Sequence, residues 1–298
     1  MNTPHRTCLL VSLLTLALAA SARAQAPVAA ADYKETSAAR PIQGPQVWVW
    51  ETMKFTPSPA GGRREVTNLP TPTMRNFESH ITTLLPGRDS HMPHRHAQEE
   101  FIILKEGEIE THINGQNQRV GAGSLVFFAS NDLHNVTNVG TTPATYLVFN
   151  IQTGLTASAP AEGAAKAAVP GKLGSMVYDW EKLAVEKNDK GERRQLMKSA
   201  TTTMNSFECH VTTLNPGESP HPAHQHPDEE LIVVKEGLLQ ATINGVTTRG
   251  GPGSIFFYAS NVLHGMKNVG TTPATYFVFR VVTDATPKEP EVPAPAKG

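Results

Sequence analysis

Residues 46–150 align with residues 176–280 at a constant offset of 130 positions and without a gap. Trp50-Glu51 recurs as Trp180-Glu181, and Lys105-Glu106-Gly107 recurs as Lys235-Glu236-Gly237. The nine residues from Asn138 to Tyr146 return unchanged from Asn268 to Tyr276. A duplication this regular requires two copies of one unit, each of a normal domain size. Whatever one half folds into, the other must fold into as well.

Inside each unit the pattern is all β. Short runs rich in Val, Ile, Thr and Phe are broken by Gly, Pro and Asn. Ile113-Asn114-Gly115 and Ile243-Asn244-Gly245 predict hairpins, because Asn-Gly accepts the positive φ angles of a type I′ turn. Strands at this spacing predict a barrel or sandwich of the jelly-roll kind. A short helix is possible near Trp50–Phe55 and Trp180–Val185. The expected division is one unit at 46–155, a linker rich in Ala, Pro and Gly at 156–172, and a second unit at 173–283. An arm at 25–45 precedes them, and a Pro-containing tail at 284–298 follows.

Each unit carries histidines at fixed spacing. In the first, Gly87 is followed by His94, His96, Glu100, Gly107, Gly115, Gly123, His134 and Asn138. In the second the series runs Gly217, His224, His226, Glu230, Gly237, Gly245, Gly253, His264 and Asn268. In a strand, residues two apart share a face, so His94 and His96 should project together, as should His224 and His226. A bend of three residues brings Glu100 or Glu230 back to that face. Ile102 and Leu104 have the parity of Glu100 and would line a barrel, while Phe101 and Ile103 lie opposite. A strand apolar on both faces is covered on both, by the other domain or by another subunit of a homo-oligomer.

Both series resemble the two cupin motifs, HxHxxxE followed by Gly and then PxG with a distant His and Asn. The resemblance implies two tandem cupin (jelly-roll) β-barrels. Gly121 and Gly251 stand where the motif has proline, and the first spacer holds six residues between Gly87 and His94. Three imidazoles and a carboxylate suit Mn, Fe, Co, Ni, Cu or Zn. An octahedral ion held by four protein ligands keeps positions open for water or substrate, whereas zinc tends to stop at four. Mn and Fe therefore rank first, ahead of Cu, Ni and Zn, with one ion per domain.

Further polar pairs recur around the motif. Glu78 and His80, repeated as Glu208 and His210, share a strand parity. His91 and His221 lie three residues before the first metal histidine, and Glu99 and Glu229 directly precede the metal glutamate. They are candidates to hold a metal histidine or to move protons, His80, His91, His210 and His221 above all. The plainer alternative is a solvent-facing strand edge. Asn138 and Asn268 are expected to brace a turn.

Arg6, the apolar run Cys8–Ala20 and Ala22-Arg23-Ala24 read as a secretory signal peptide over residues 1–24. Its removal moves the formal charge from −1 to −3, since Arg6 and Arg23 leave with no acid. Nothing resembles a basic footprint for nucleic acid or a basic amphipathic helix for a membrane. An exported chain would be periplasmic or secreted. Cys209 would be its one thiol, so no internal disulfide is expected, and its place in an alternating strand predicts a buried, inert side chain.

The two-site layout is similar to that of the oxalate decarboxylases, which bind manganese through the ligand set matched here by His94, His96, Glu100, His134 and their second-copy equivalents. That family has an arginine three residues before the first metal histidine. This chain has His91 and His221 there, and neutral imidazole cannot form arginine's bidentate pair with a carboxylate. Dioxygenase cupins that open quercetin or gentisate share the ligand logic, and ureidoglycine aminohydrolase shares the architecture with a different ligand set. The expectation is a metal-dependent oxidoreductase or decarboxylase acting on a small oxygen-rich substrate. The alternative is a non-catalytic protein that binds a metal or small ligand in each barrel.

Overall fold

The computed structural model describes residues 40–156 and 169–288. The expected signal peptide, most of the expected arm and linker, and the end of the expected tail lie outside the described residues. Among those described, no helix is long and apolar enough to cross a membrane.

The first half contributes ten strands: β1 (Gln46–Trp48), β2 (Thr56–Ser58), β3 (Gly61–Leu69), β4 (Asn76–Leu84), β5 (Glu99–Glu106), β6 (Glu108–Ile113), β7 (Gln116–Gly121), β8 (Leu125–Phe128), β9 (His134–Asn138) and β10 (Ala144–Gln152). The second repeats them as β11 (Met176–Tyr178), β12 (Glu186–Asn188), β13 (Gly191–Ser199), β14 (Ser206–Leu214), β15 (Glu229–Glu236), β16 (Leu239–Ile243), β17 (Val246–Gly250), β18 (Ile255–Tyr258), β19 (His264–Asn268) and β20 (Ala274–Val282). The expected short helices are single 3₁₀ turns at Trp50–Thr52 and Trp180–Lys182. Asn114 and Gly115 take φ of 48° and 87°, and Asn244 and Gly245 take 47° and 83°, as the hairpin signals predict.

Each half is a two-sheet roll. A three-stranded sheet, β7-β6-β9 or β17-β16-β19, faces a seven-stranded one. The large sheets run β11-β8-β5-β10-β4-β3-β2 and β1-β18-β15-β20-β14-β13-β12. Their edges are exchanged between the halves. Strand β11 of the second repeat pairs antiparallel with β8 of the first, and β1 of the first pairs with β18 of the second. The repeat unit read from sequence and the folded sheet therefore differ by one strand each. Ser254 Oγ accepts from Trp50 N, and Ser124 Oγ accepts from Trp180 N, both at 3.0 Å, pinning the exchanged segments. Gly253 needs to be glycine twice over. Its φ is +91°, and a Cβ there would lie 2.5 Å from the Trp50 ring.

Strand alternation builds three cores. Ile102, Leu104, Val126 and Phe128 fill the first barrel, and Ile232, Val234, Phe256 and Tyr258 fill the second. Phe101 and Ile103 point the other way, into a core shared by both halves with Phe207, Phe257 and Phe279. Phe101 stacks on Phe279 with ring centroids 4.5 Å apart. The second face of β5 is thus covered by the other half of the same chain. Cys209 is fully buried in this shared core, and burial pushes its thiol well up. Its counterpart Ser79 donates to Val148 O at 2.9 Å.

Candidate metal centres

The local fold brings the eight expected ligands into two clusters. His94 and His96 do not lie in a regular strand as their spacing suggested. Residues 95–98 are irregular, and His94 makes only an isolated antiparallel bridge to His134. That bridge, repeated between His224 and His264, brings the distant histidine alongside the first. The ligand atoms of His94, His96 and His134 all lie within 4.8 Å of one another, as do those of His224, His226 and His264. The carboxylates close each cluster: His96 Nε2 is 3.4 Å from Glu100 Oε2, and His226 Nε2 is 3.3 Å from Glu230 Oε2.

Most of the imidazoles are held from behind. Backbone carbonyls of Gln98 and Asp132 accept from Nδ1 of His96 and His134 at 2.9 and 2.8 Å. Asp228 and Val262 do the same for His226 and His264 at 2.9 and 2.8 Å. A carbonyl can only accept, so it keeps the proton on Nδ1 and leaves the Nε2 lone pair facing the cluster. Phe128 stacks on His134 and Tyr258 on His264, with centroids 4.3 and 4.2 Å apart.

The ligand groups titrate in two directions. Burial, helped by His91 and His96, lowers His94 to about 4. Burial likewise lowers His134 and His224 to about 4, and it lowers His264. Glu100 goes the other way for a carboxyl: burial pulls it up, but the His96 hydrogen bond and His134 take it down to about 2. His96 and His226 go the other way: burial pulls them down, but the hydrogen bond to Glu100 raises His96, and those to Asp228 and Glu230 raise His226 to about 9. Metal ligation requires neutral imidazoles around an ionised carboxylate, so a bound ion would displace the protons of these two. Nε2 of His134 and of His264 is buried and has no hydrogen-bond partner among the described residues. Leaving such an atom unpaired costs about 1–3 kcal/mol. A divalent transition ion at the cluster would use both, so the residues fit a metal in each half.

The other expected polar groups divide. His91 Nδ1 lies 2.9 Å from His94 Nδ1, and His221 packs edge-on against His224 with centroids 4.1 Å apart. These histidines stand behind the first ligand while also lining the cavity mouth. His80 and His210 line the cavities too. Glu78 Oε1 is 2.8 Å from His80 Nδ1, whereas Glu208 is 3.5 Å from His210. Burial, then Arg193, lowers His210 to about 4. Glu99 and Glu229 are not at the metal at all. Alternation along β5 and β15 turns them to the opposite face, where each is buried against the other half. Glu99 accepts from the hydroxyls of Thr201 and Thr203 and from Thr202 N; Glu229 accepts from the hydroxyls of Thr71 and Thr73. Asn138 and Asn268 brace their turns as expected, each donating to two carbonyls and accepting from a glycine N–H.

The cavities beside the clusters measure about 590 Å³ in the second half and about 280 Å³ in the first. The cupin domain family matches residues 80–150 and again residues 210–280. Both halves are cupin domains. Solved structures similar to this bicupin include AerE from Microcystis aeruginosa, at 15% identity and a TM-score of 0.56, covering 82% of this chain and 98% of that one. Oxalate decarboxylase from Bacillus subtilis gives 16%, 0.60, 82% and 78%. Protein Ylba from E. coli gives 13%, 0.60, 85% and 97%. At these identities the likeness is one of fold. No curated protein matches the chain in sequence.

Three features of the site were not anticipated. Asp228 and Arg280 form a bidentate pair in the second half, Gln98 and Asn150 replace them in the first, and Tyr258 Oη is buried without a partner among the described residues. The repeat alignment contained the signal, since Arg280 against Asn150 is a change of charge within an otherwise similar strand.

Proposed function

We propose that this bicupin is an exported metal-dependent enzyme, an oxidoreductase or decarboxylase acting on a small oxygen-rich acid or phenol. The observation that carries the reading is the duplicated cluster of three histidines and a glutamate, with a buried unpaired Nε2 in each, opening onto a cavity. A bound ion would supply Lewis-acid polarisation of substrate oxygens and, for a redox-active metal, electron transfer. Manganese and iron head the list on ligand chemistry. A similar structure, oxalate decarboxylase, is described as having Mn(II) centres.

The chain's own groups do the rest. His94, His96, Glu100 and His134, with their second-half equivalents, would hold the ion. His80 is positioned to move a proton, because Glu78 occupies Nδ1 and leaves Nε2 as the exchanging nitrogen. His91 steadies His94 through the Nδ1 contact. The apolar barrel wall of Ile102, Val148 and Tyr146 limits water around the reacting atoms.

The test is metal analysis of the protein purified from its export compartment without chelator, beside the His94→Ala/His224→Ala variant, followed by oxygen-uptake and CO₂-release assays on small acids and phenols. About two equivalents of manganese or iron, lost in the variant, are expected from the four-ligand sets. Absence of transition metal, with an unchanged melting temperature in the variant, would overturn the metal reading. Full metal without turnover of any such substrate would favour a binding protein.

A further inference from the structure

Resting on the metal-dependent reading above, we infer that the cavity of the second half, and not that of the first, takes a carboxylate-bearing ligand, and that Arg280 is the residue that binds it. On β20, Arg280 stands directly opposite Glu230 of β15 and Glu208 of β14. Residues paired across neighbouring strands project from the same face. The guanidinium therefore shares the barrel-facing side with the metal-ligating Glu230, and it lines the cavity together with His224 and His210.

Its orientation is fixed. Nε donates to Asp228 Oδ2 at 2.6 Å and Nη2 donates to Asp228 Oδ1 at 2.7 Å. Asp228 is almost wholly buried, while the arginine side chain keeps 37% of its surface exposed. A guanidinium has five N–H donors on two usable edges. Asp228 takes one edge, and Nη1 has no protein partner among the described residues. The edge that remains is a rigid fork with the geometry of a carboxylate, held beside the ion that Glu230 would ligate.

The first half lacks this fork. Asn150 occupies the same register, opposite Glu100 and Glu78, and Gln98 takes the place of Asp228. Asn150 Nδ2 is spent on Glu78 Oε2 at 2.9 Å, and its Oδ1 is buried without a partner among the described residues. A carboxylate at that position would meet a bare carbonyl oxygen, whereas a hydroxyl could donate to it; Arg63, which also lines this cavity, is engaged with Glu65 and Glu78. Both halves of the pair differ together, as a change of ligand class requires. The second cavity also has the larger volume, about 590 against 280 Å³.

The experiment titrates malonate, a small dicarboxylate, into the manganese-loaded full chain by calorimetry, with metal content measured on the same sample. The comparison variant is Asp228→Gln/Arg280→Asn, which rebuilds the pair the first half already folds around and leaves no buried carboxylate unpaired. The wild type should bind about one malonate per chain, and the variant should bind it about tenfold or more weakly, the worth of a charge-assisted fork. Metal content and melting behaviour should be unchanged. Gln98→Asp/Asn150→Arg should add binding in the first half. A variant that keeps its metal and binds malonate like the wild type would overturn the assignment, as would a wild type that binds none or binds equally in both halves. If the chain takes up no metal, the metal reading falls by itself. Malonate binding to the metal-free chain then decides on Arg280: a loss in the variant keeps the carboxylate site, and no difference removes it.

Discussion

Glu99 is a buried carboxylate whose partners all come from the other half of the chain, which makes its removal a direct measure of what that junction contributes. Three good hydrogen bonds reach it: from the hydroxyls of Thr201 and Thr203, the latter at 2.7 Å, and from Thr202 N at 3.0 Å. Glu99→Ala leaves these donors facing a cavity. Each stranded donor costs about 1–3 kcal/mol, so the lower end gives about 3 kcal/mol in all, after the desolvation of the carboxylate is returned. At about 2–4 °C per kcal/mol for a fold of this size, the melting temperature should drop by about 6–12 °C. Circular dichroism during heating reads this, with urea unfolding as a check where heating is irreversible. The coupling between Glu99→Ala and Thr203→Ala in a double-mutant cycle should be about 1 kcal/mol or more. A drop below about 2 °C, or strict additivity with Thr203→Ala, would refute the clamp and leave the junction to its aromatic core. Glu229 sets the contrast. Its Oε1 has no partner among the described residues and burial pushes its carboxyl up, so Glu229→Gln should cost clearly less than Glu99→Gln in the same assay.

Phe101→Ala should destabilise by about 3–5 kcal/mol, because it empties the centre of the shared core, and calorimetric unfolding would show it. Gly253→Ala should lower the melting point far more than Gly115→Ala, since both have positive φ but only Gly253 lies against a tryptophan ring. Cys209→Ser should cost about 1 kcal/mol or less, because Ser79 shows that the site accepts a hydroxyl donating to the facing strand; native Cys209 should resist thiol labelling until the protein unfolds. The metal-free chain should lose stability as pH falls from about 6.5 to 4, because His210 has a folded pKa near 4 and the unfolded chain takes up its proton first. A His210→Gln variant should show a shallower fall over that window, read by melting temperature against pH.

The duplicated unit, the Asn-Gly hairpins and the three-histidine, one-glutamate cluster of each half were legible from spacing, because periodicity and turn chemistry are local. The two faces of β5 were legible as well, and Phe101 and Ile103 do meet the other half. What spacing could not carry was pairing between distant segments. Glu99 has the parity of Phe101, so alternation already separated it from Glu100, but only the packed structure brings Thr201–Thr203 to it. His94 and His96 converge through the bridge to His134 rather than through regular strand geometry. Arg280 was passed over because its meaning depends on register: it matters by standing opposite Glu230, which no motif records.

The reciprocal placement of β1 and β11 is the arrangement two separate identical molecules would adopt on embracing through their leading edges. The present chain behaves as such a pair tied end to end. Expressed alone, each half should expose the rim of β8 or β18 as a naked strand edge, an invitation to self-association. Conversely, a chain cut between Thr156 and Val169 should stay together on a sizing column, with the severed pieces holding each other by strand and by aromatic core.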